Sequence, residues 1–326
     1  MFGTLKQSFT LVEISIVLMI LSILTAAVLS ANSIIKSAKS QKIIQEISTY
    51  RQAINSFYQM YNALPGDYNN AQYDLTPSSC NLTNCNSVAE SSIATLDSSI
   101  RSQIPLNGNG DGKVDYTIGG SAILYKSEAF GVWSHLSAQN LIPYKYSNTC
   151  KNTASNTRKE CLQADYNLPR ISGGFNTSSV YIFHNSSEYN EDIYGQIFDK
   201  NYNPTFVENA HVLSLVDISH SYAYGSSSNI GNYVHGGGGG VSSDLMVRID
   251  SKIDDGRPLT GNVYGINGSN EDNAISQTSK TGQCNNYKGA NSSFMTQNNL
   301  TRDKVVYSND NNQACIGVIV FDEFAS

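Results

Sequence analysis

From Phe9 to Ile35 the chain is apolar apart from scattered Ser, Thr and Asn, and its only charged side chain there is Glu13. A membrane-spanning helix needs roughly 20 mostly apolar residues, and this run is long enough. A carboxylate near the centre of such a span costs on the order of 2.5 to 3.5 kcal/mol. Glu13 stands near the start instead, where the positive end of the helix dipole offsets part of that cost. It still wants a cationic partner.

The helical pattern continues beyond the apolar run. From Lys36 onward the apolar residues thin to a stripe, Ile43, Ile47, Tyr50, Ile54, Phe57 or Tyr58, and Tyr61, with Lys39, Lys42, Glu46, Arg51 and Gln59 between them. That spacing predicts one face packed on a domain. A single helix over 9–62, with 9–35 in the membrane, would be roughly 80 Å long. Leu64-Pro65-Gly66-Asp67 follows and ends it, because proline and the residue before it resist helix.

The order Phe9-Thr10-Leu11-Val12-Glu13 ahead of an apolar helix resembles the type IV pilins and type II secretion pseudopilins. The resemblance implies that residues 1–8 are a leader, that a prepilin peptidase cuts between Ser8 and Phe9, and that Phe9 is then N-methylated. The family usually has Gly where this chain has Ser8. Glu13 would pair with the new N-terminus of a neighbouring subunit during filament assembly. The implied partners are further copies of the chain, other pilins or pseudopilins, and an inner-membrane assembly platform. The implied location is a bacterial inner membrane, single-pass with a periplasmic head, and then a filament or the cell surface. Leu64-Pro-Gly-Asp67-Tyr68, Glu128-x-Phe130-x-x-Trp133-x-His135-Leu136 and Asp250 to Gly261 also look like recurrent stretches of larger pilin-like proteins.

Two plainer readings compete. Thr25-Ala26-Ala27 supplies small residues after a hydrophobic stretch, as at a signal-peptide cut, but Glu13 and the continuing helical period oppose it. An uncleaved anchor explains the apolarity and leaves the Phe-Thr-Leu-Val-Glu order unexplained.

With 326 residues, segment 63–326 can form an extracytoplasmic head with its own core. Charged residues are only 15% and the net charge is −6, so no nucleic-acid partner is implied. Six cysteines beyond a membrane segment read as disulfides of an oxidising compartment. They fall into neighbours, Cys80 with Cys85, Cys150 with Cys161, and Cys284 with Cys315, although six cysteines allow about 15 pairings. The expected fold is α+β, a long N-terminal helix packed on an antiparallel sheet. Strands are expected at Val180–Phe183, Ile193–Phe198, Val212–Val216 and Cys315–Phe321. Helices are expected from Glu128 to Leu141-Ile142, capped by Ser127, and from Ser243 through Met246, Ile249 and Ile253. Trp133, the only tryptophan, is expected in the core. By composition, Gly236 to Gly240 reads as flexible linker.

Asn107, Asn109, Asp111, Lys113 and Asp115 sit at alternate positions around Gly112, the pattern of a calcium loop in which Lys113 contributes its carbonyl. An EF-hand would close with Glu at the position of Ile118, so a distant acid such as Glu128 would have to substitute. A metal-free Asn-Gly/Asp-Gly turn is the competing reading. Asp250, Asp254 and Asp255 form a second acidic group; Asp250 and Asp254 are expected to share a helix face at one-turn spacing, fit either for a cation or for nearby backbone donors. His135, His184, His211, His220 and His235 follow no metalloprotease spacing, and neither a nucleophile elbow nor a P-loop occurs. No enzyme is expected. The leading expectation is a filament subunit, followed by a filament-tip binding module with recognition in 76–117 or 222–233. A membrane-anchored periplasmic enzyme comes last.

Overall fold

The computed structural model describes residues 10–77, 80, 100, 103–115, 128–147, 164–174, 178–185, 210–222, 235–267, 284, 304–308 and 314–321. Ser8, Phe9, Cys85, Cys150, Cys161, Ser127 and the expected strand Ile193–Phe198 lie outside them.

Helix α1 runs Leu11–Tyr61, 51 residues, and no Gly or Pro interrupts it. Thr10 and Glu13 start it as a capping box. The Thr10 hydroxyl accepts from Glu13 N, and the Glu13 carboxylate accepts from Thr10 N at 2.8 Å and from its hydroxyl at 2.9 Å. The helix stops at Asn62, which takes left-handed geometry at φ 50°, so the stop precedes Pro65. In the first half the hydroxyls of Ser15, Ser22, Thr25 and Ser30 donate to carbonyls one turn back. Their polarity is thereby satisfied inside the helix. Among the described residues α1 is the one helix long and apolar enough to cross a membrane, and none of its apolar window is buried. Its second half buries Ser40, Ile43, Ile47, Ile54 and Phe57.

The head is a layer of helices on an antiparallel sheet, an α+β fold. Short α2 (Ala71–Leu75) follows the turn after α1, and then α3 (Glu128–Ala138) and α4 (Ser243–Ile253). The strands are β1 (Ser178–Asn185), β2 (Ala210–Tyr222), β3 (His235–Gly239), β4 (Val241–Ser242), β5 (Val263–Asn267) and β6 (Ala314–Phe321). The order is β1-β2-β6-β4, with β3 on β2 and β5 on β6. Ile182, Leu213, Ile319 and Val263 line up across four strands, all buried. Ile182, His211 and Phe321 face Ile54 of α1, Leu64 and Val132 of α3, and Met246 of α4 lies against Gly317. Trp133 is fully buried, edge-on to Tyr50 at 4.9 Å, as its bulk requires.

Two expectations need correction. Helix α3 ends at Ala138, not Leu141-Ile142: Asn140 turns left-handed at φ 54° and Leu141 N donates to Leu136 O at 3.0 Å, a Schellman-type closure. The glycine run is no linker but strand β3 and the step to β4. This segment pairs with β2 through Gly239 and then with β6 through Val241, crossing where the two central strands part. At Gly240 a Cβ would stand 2.7 Å from Val216 N and 2.8 Å from Leu215 C, so only glycine fits. Composition measures the freedom of an unpaired chain, whereas pairing here comes from strands remote in sequence.

Gly240→Ala should therefore destabilise the head by about 1 to 3 kcal/mol, as overpacking does. Chemical denaturation of the full chain in detergent measures it; an unchanged midpoint would contradict the close approach.

Candidate functional site

Three stretches far apart in sequence meet at the C-terminal end of α1: the turn at Leu64–Asp67, the loop at 107–115 and the start of α3. Gly66, at φ 95°, lies so close to α3 that a Cβ would be 2.5 Å from Glu128 O. His135, fully buried, joins turn to loop. Its Nδ1 accepts from Gly66 N at 2.9 Å, and Nε2–H donates to Leu106 O at 2.8 Å. The two bonds fix its tautomer.

Asp67, 2% exposed, reaches into the loop. Its Oδ1 accepts from Gly110 N at 2.7 Å and Asp111 N at 3.0 Å, and its Oδ2 from Gly112 N at 2.9 Å. From the other side Glu128 accepts from Asn109 N at 2.7 Å and Asp115 N at 2.8 Å. Five loop amides are thus held by the oxygens of two acid side chains.

The expected calcium-loop residues come together, and their oxygens have protein partners. Asn107 Oδ1 accepts from Gln72 N, Asn109 Oδ1 from Asp111 N, and Asp111 Oδ1 from Lys113 N. Asp115 Oδ2 accepts from Asn109 Nδ2 at 3.2 Å. Glu128 does stand beside the loop. Asp67 belongs to the same acid group, although the sequence marks it only as the last residue of the Leu-Pro-Gly-Asp turn. A hard cation at Asn107, Asn109, Asp111, Asp115 and the Lys113 carbonyl would have to compete with these donors.

The second acidic group also meets. Oxygens of Asp250, Asp254 and Asp255 lie within 4.8 Å of one another. Asp250 accepts from Tyr307 OH at 2.7 Å and Gly256 N at 3.1 Å. Asp254 accepts from Asn262 N and Val263 N, and Asp255 from Arg257 N and the Thr260 hydroxyl. Asp254 lies just past α4 as its C-cap, so it does not share a helix face with Asp250. These acids shape the 254–263 loop through its own donors. Of the cysteines, Cys284 bonds Cys315, as expected, and Cys80 is also disulfide-bonded.

Burial dominates the titration of these groups. It pushes Glu128 up to about 8, with the Asp115 and Asn109 amides pulling back, and Asp250 up to about 7 against the pull of Tyr307 and Gly256. Asp67 and Asp115 are raised, again mainly by burial. Burial lowers His135 and His211 to about 4. A fully buried neutral His135 is suited to bracing the turn; it has no exposed ring nitrogen to offer a substrate.

No protein-family model, no curated protein and no solved structure matches the chain.

Asp67→Ala strips the acceptor from three loop amides and should cost about 2 to 4 kcal/mol, read as a lower denaturation midpoint, with Asp67→Asn intermediate. For pH the signs oppose. A raised acid stabilises fully below its unfolded value, 4.5 for Glu128, and loses that contribution as pH rises toward 8. The lowered histidines stabilise fully above 6.5 and lose it as pH falls toward 4. Above 6.5 only the acids act, so the melting temperature should fall from there to about 8, and Glu128→Gln should flatten the decline. Millimolar calcium that restores the melting temperature at the alkaline end would reveal a cation in the loop. No response would mean that the amides hold it alone.

Proposed function

We propose that the chain is a structural subunit of a type IV pilus or type II secretion pseudopilus, stored in a membrane by the first half of α1 and assembled into a filament through that same surface. The observation that carries this reading is the bare apolar half of α1, continuous with a half packed into a head. Leu11, Val12, Ile14, Ile23, Leu24 and Val28 are each more than half exposed. Such a surface needs lipid or like helices around it. The Phe9 to Glu13 motif favours the second cover as an end state, and the disulfide-bearing head fits an oxidising compartment.

In the monomer Glu13 is satisfied by its own helix start through Thr10. Cutting before Phe9 would create an ammonium four positions ahead, and a neighbour's terminus can then compete for the carboxylate. Local capping would hold Glu13 in lipid, and the stronger charge-assisted bond would draw it into the filament.

A second reading, an anchored binding module, draws on a cleft of about 440 Å³ whose walls include Gln103, Ser137, Lys145, Tyr146 and Tyr166. Localisation confined to filament tips would favour it over a bulk subunit.

Glu13→Ala should leave the chain membrane-inserted while lowering its incorporation into filaments by about a hundredfold to a few thousandfold, matching about 3 to 5 kcal/mol for a broken buried pair. Normal incorporation would refute the role. Intact-mass and N-terminal analysis of the native protein should find N-methylated Phe9. A start at Val28 would mean signal-peptide cleavage instead, and an unmodified Met1 a plain anchor.

A further inference from the structure

We propose that the membrane-proximal end of the head is a cationic collar that binds the anionic headgroups of the leaflet beneath it. This rests on the reading of α1 as a membrane span.

Between Ile14 and Gln45 the chain contains no acid, and its only charges are Lys36, Lys39 and Lys42. They begin directly after Ile35, the last residue of the apolar run. At about 1.5 Å per residue, Lys42 stands roughly 10 Å beyond Ile35 along the axis, within the depth of a headgroup layer.

Helix α4 adds to the same level. Asp244 in its first turn pairs with Lys36 at 3.1 Å, and Lys252 near its end donates to Ser40 at 3.0 Å. Its two cations, Arg248 and Lys252, therefore lie beside the three lysines of α1. Lys39, Lys42 and Lys252 are exposed, and Lys39 and Lys42 make no ion pair among the described residues. Among the described residues, Asp244 is shared between Lys36 and Arg248, Glu46 further along accepts from Ser172 N, and Asp250 is buried on Tyr307. Asp254 and Asp255, just past α4, are taken up by donors of the 257–263 loop. A positive surface has thus been collected at one end of a chain whose net charge is −6.

Its position also runs against membrane topology. Lysines beside a span bias that flank toward the cytoplasm, whereas a disulfide-bearing head belongs on the other side. Three lysines on the head side oppose the required orientation, and contact with anionic lipid gives them a compensating role. Lysine stems lying along the helix with their ammonium groups among phosphates fit this depth.

The test uses the full chain in nanodiscs of phosphatidylcholine with a minority of phosphatidylglycerol, with native mass spectrometry reading which lipid stays bound. Phosphatidylglycerol should be retained preferentially, by roughly five-fold per contributing cation. Lys39→Gln with Lys42→Gln should reduce the preference. Asp244→Asn, which removes the carboxylate shared by Lys36 and Arg248, should raise it, an opposite sign that damage to the fold would not produce. Equal retention of the two lipids overturns the collar. So does a preference untouched by these substitutions while filament incorporation is lost, which would assign the lysines to an acidic protein surface. Insertion into neutral vesicles that resists alkaline carbonate tests the span separately: no insertion defeats the membrane reading, and insertion without lipid preference defeats only the collar.

Discussion

The architecture depends on how the uncovered half of α1 is shielded from water. Fourteen large apolar side chains between Leu11 and Ile35 are exposed. At about 1.5 to 3 kcal/mol for each one fully covered, removing them from water is worth some tens of kcal/mol, more than the roughly 5 to 15 kcal/mol that holds a typical domain folded. No arrangement of the head could offset leaving that surface wet. Lipid and neighbouring helices are nearly equal in apolarity, so the choice between them falls to smaller, directional terms. Glu13 is the strongest such group in the span, and its capping bond to Thr10 gives it a resting partner.

The head solves a different problem, that of anchoring long connections where the helix ends. A turn with a glycine at φ 95° lets backbone approach backbone, and the turn's aspartate then spans 43 to 45 positions of sequence to gather loop amides. His135 closes the knot from inside α3, stacked near Phe57 with ring centres 6.0 Å apart. The Cys284–Cys315 link, with a separation of 31, adds about 3 to 4 kcal/mol by the loop-entropy account. It ties the start of β6 to a chain segment lying over Ser243, whose hydroxyl meets Cys284 O at 2.9 Å.

What could be read from the sequence was whatever local period determines. The length of α1, its buried stripe, α3 and α4, and strands β1, β2 and β6 carry their periodicity or β-branched character within a few residues. The Thr10-x-x-Glu13 cap was equally local, but attention to a distant cation for Glu13 obscured it. The glycine strand, the short β5 with Gly265 at its centre, and the Asp67 clamp were not legible, because each is defined by groups remote in sequence. At Gly265 a Cβ would come within 2.2 Å of Tyr307, a contact no local pattern reveals. The two acidic motifs illustrate the same division: spacing marked the oxygen-rich 107–115 loop but placed Asp254 on a helix face with Asp250, and the donors of both groups became apparent only in three dimensions.

The absence of any glycine or proline from Leu11 to Tyr61 makes α1 a lever with no joint. Over about 75 Å of helix, a tilt of about 10° at the apolar end swings the knot at the far end by roughly 13 Å. Because the sheet and α4 are packed on this lever, rotation of the apolar half carries the head with it. Angular order imposed on that end would thus be magnified into positional order at the far end, and tension along the axis would reach the sheet without first being absorbed by a hinge.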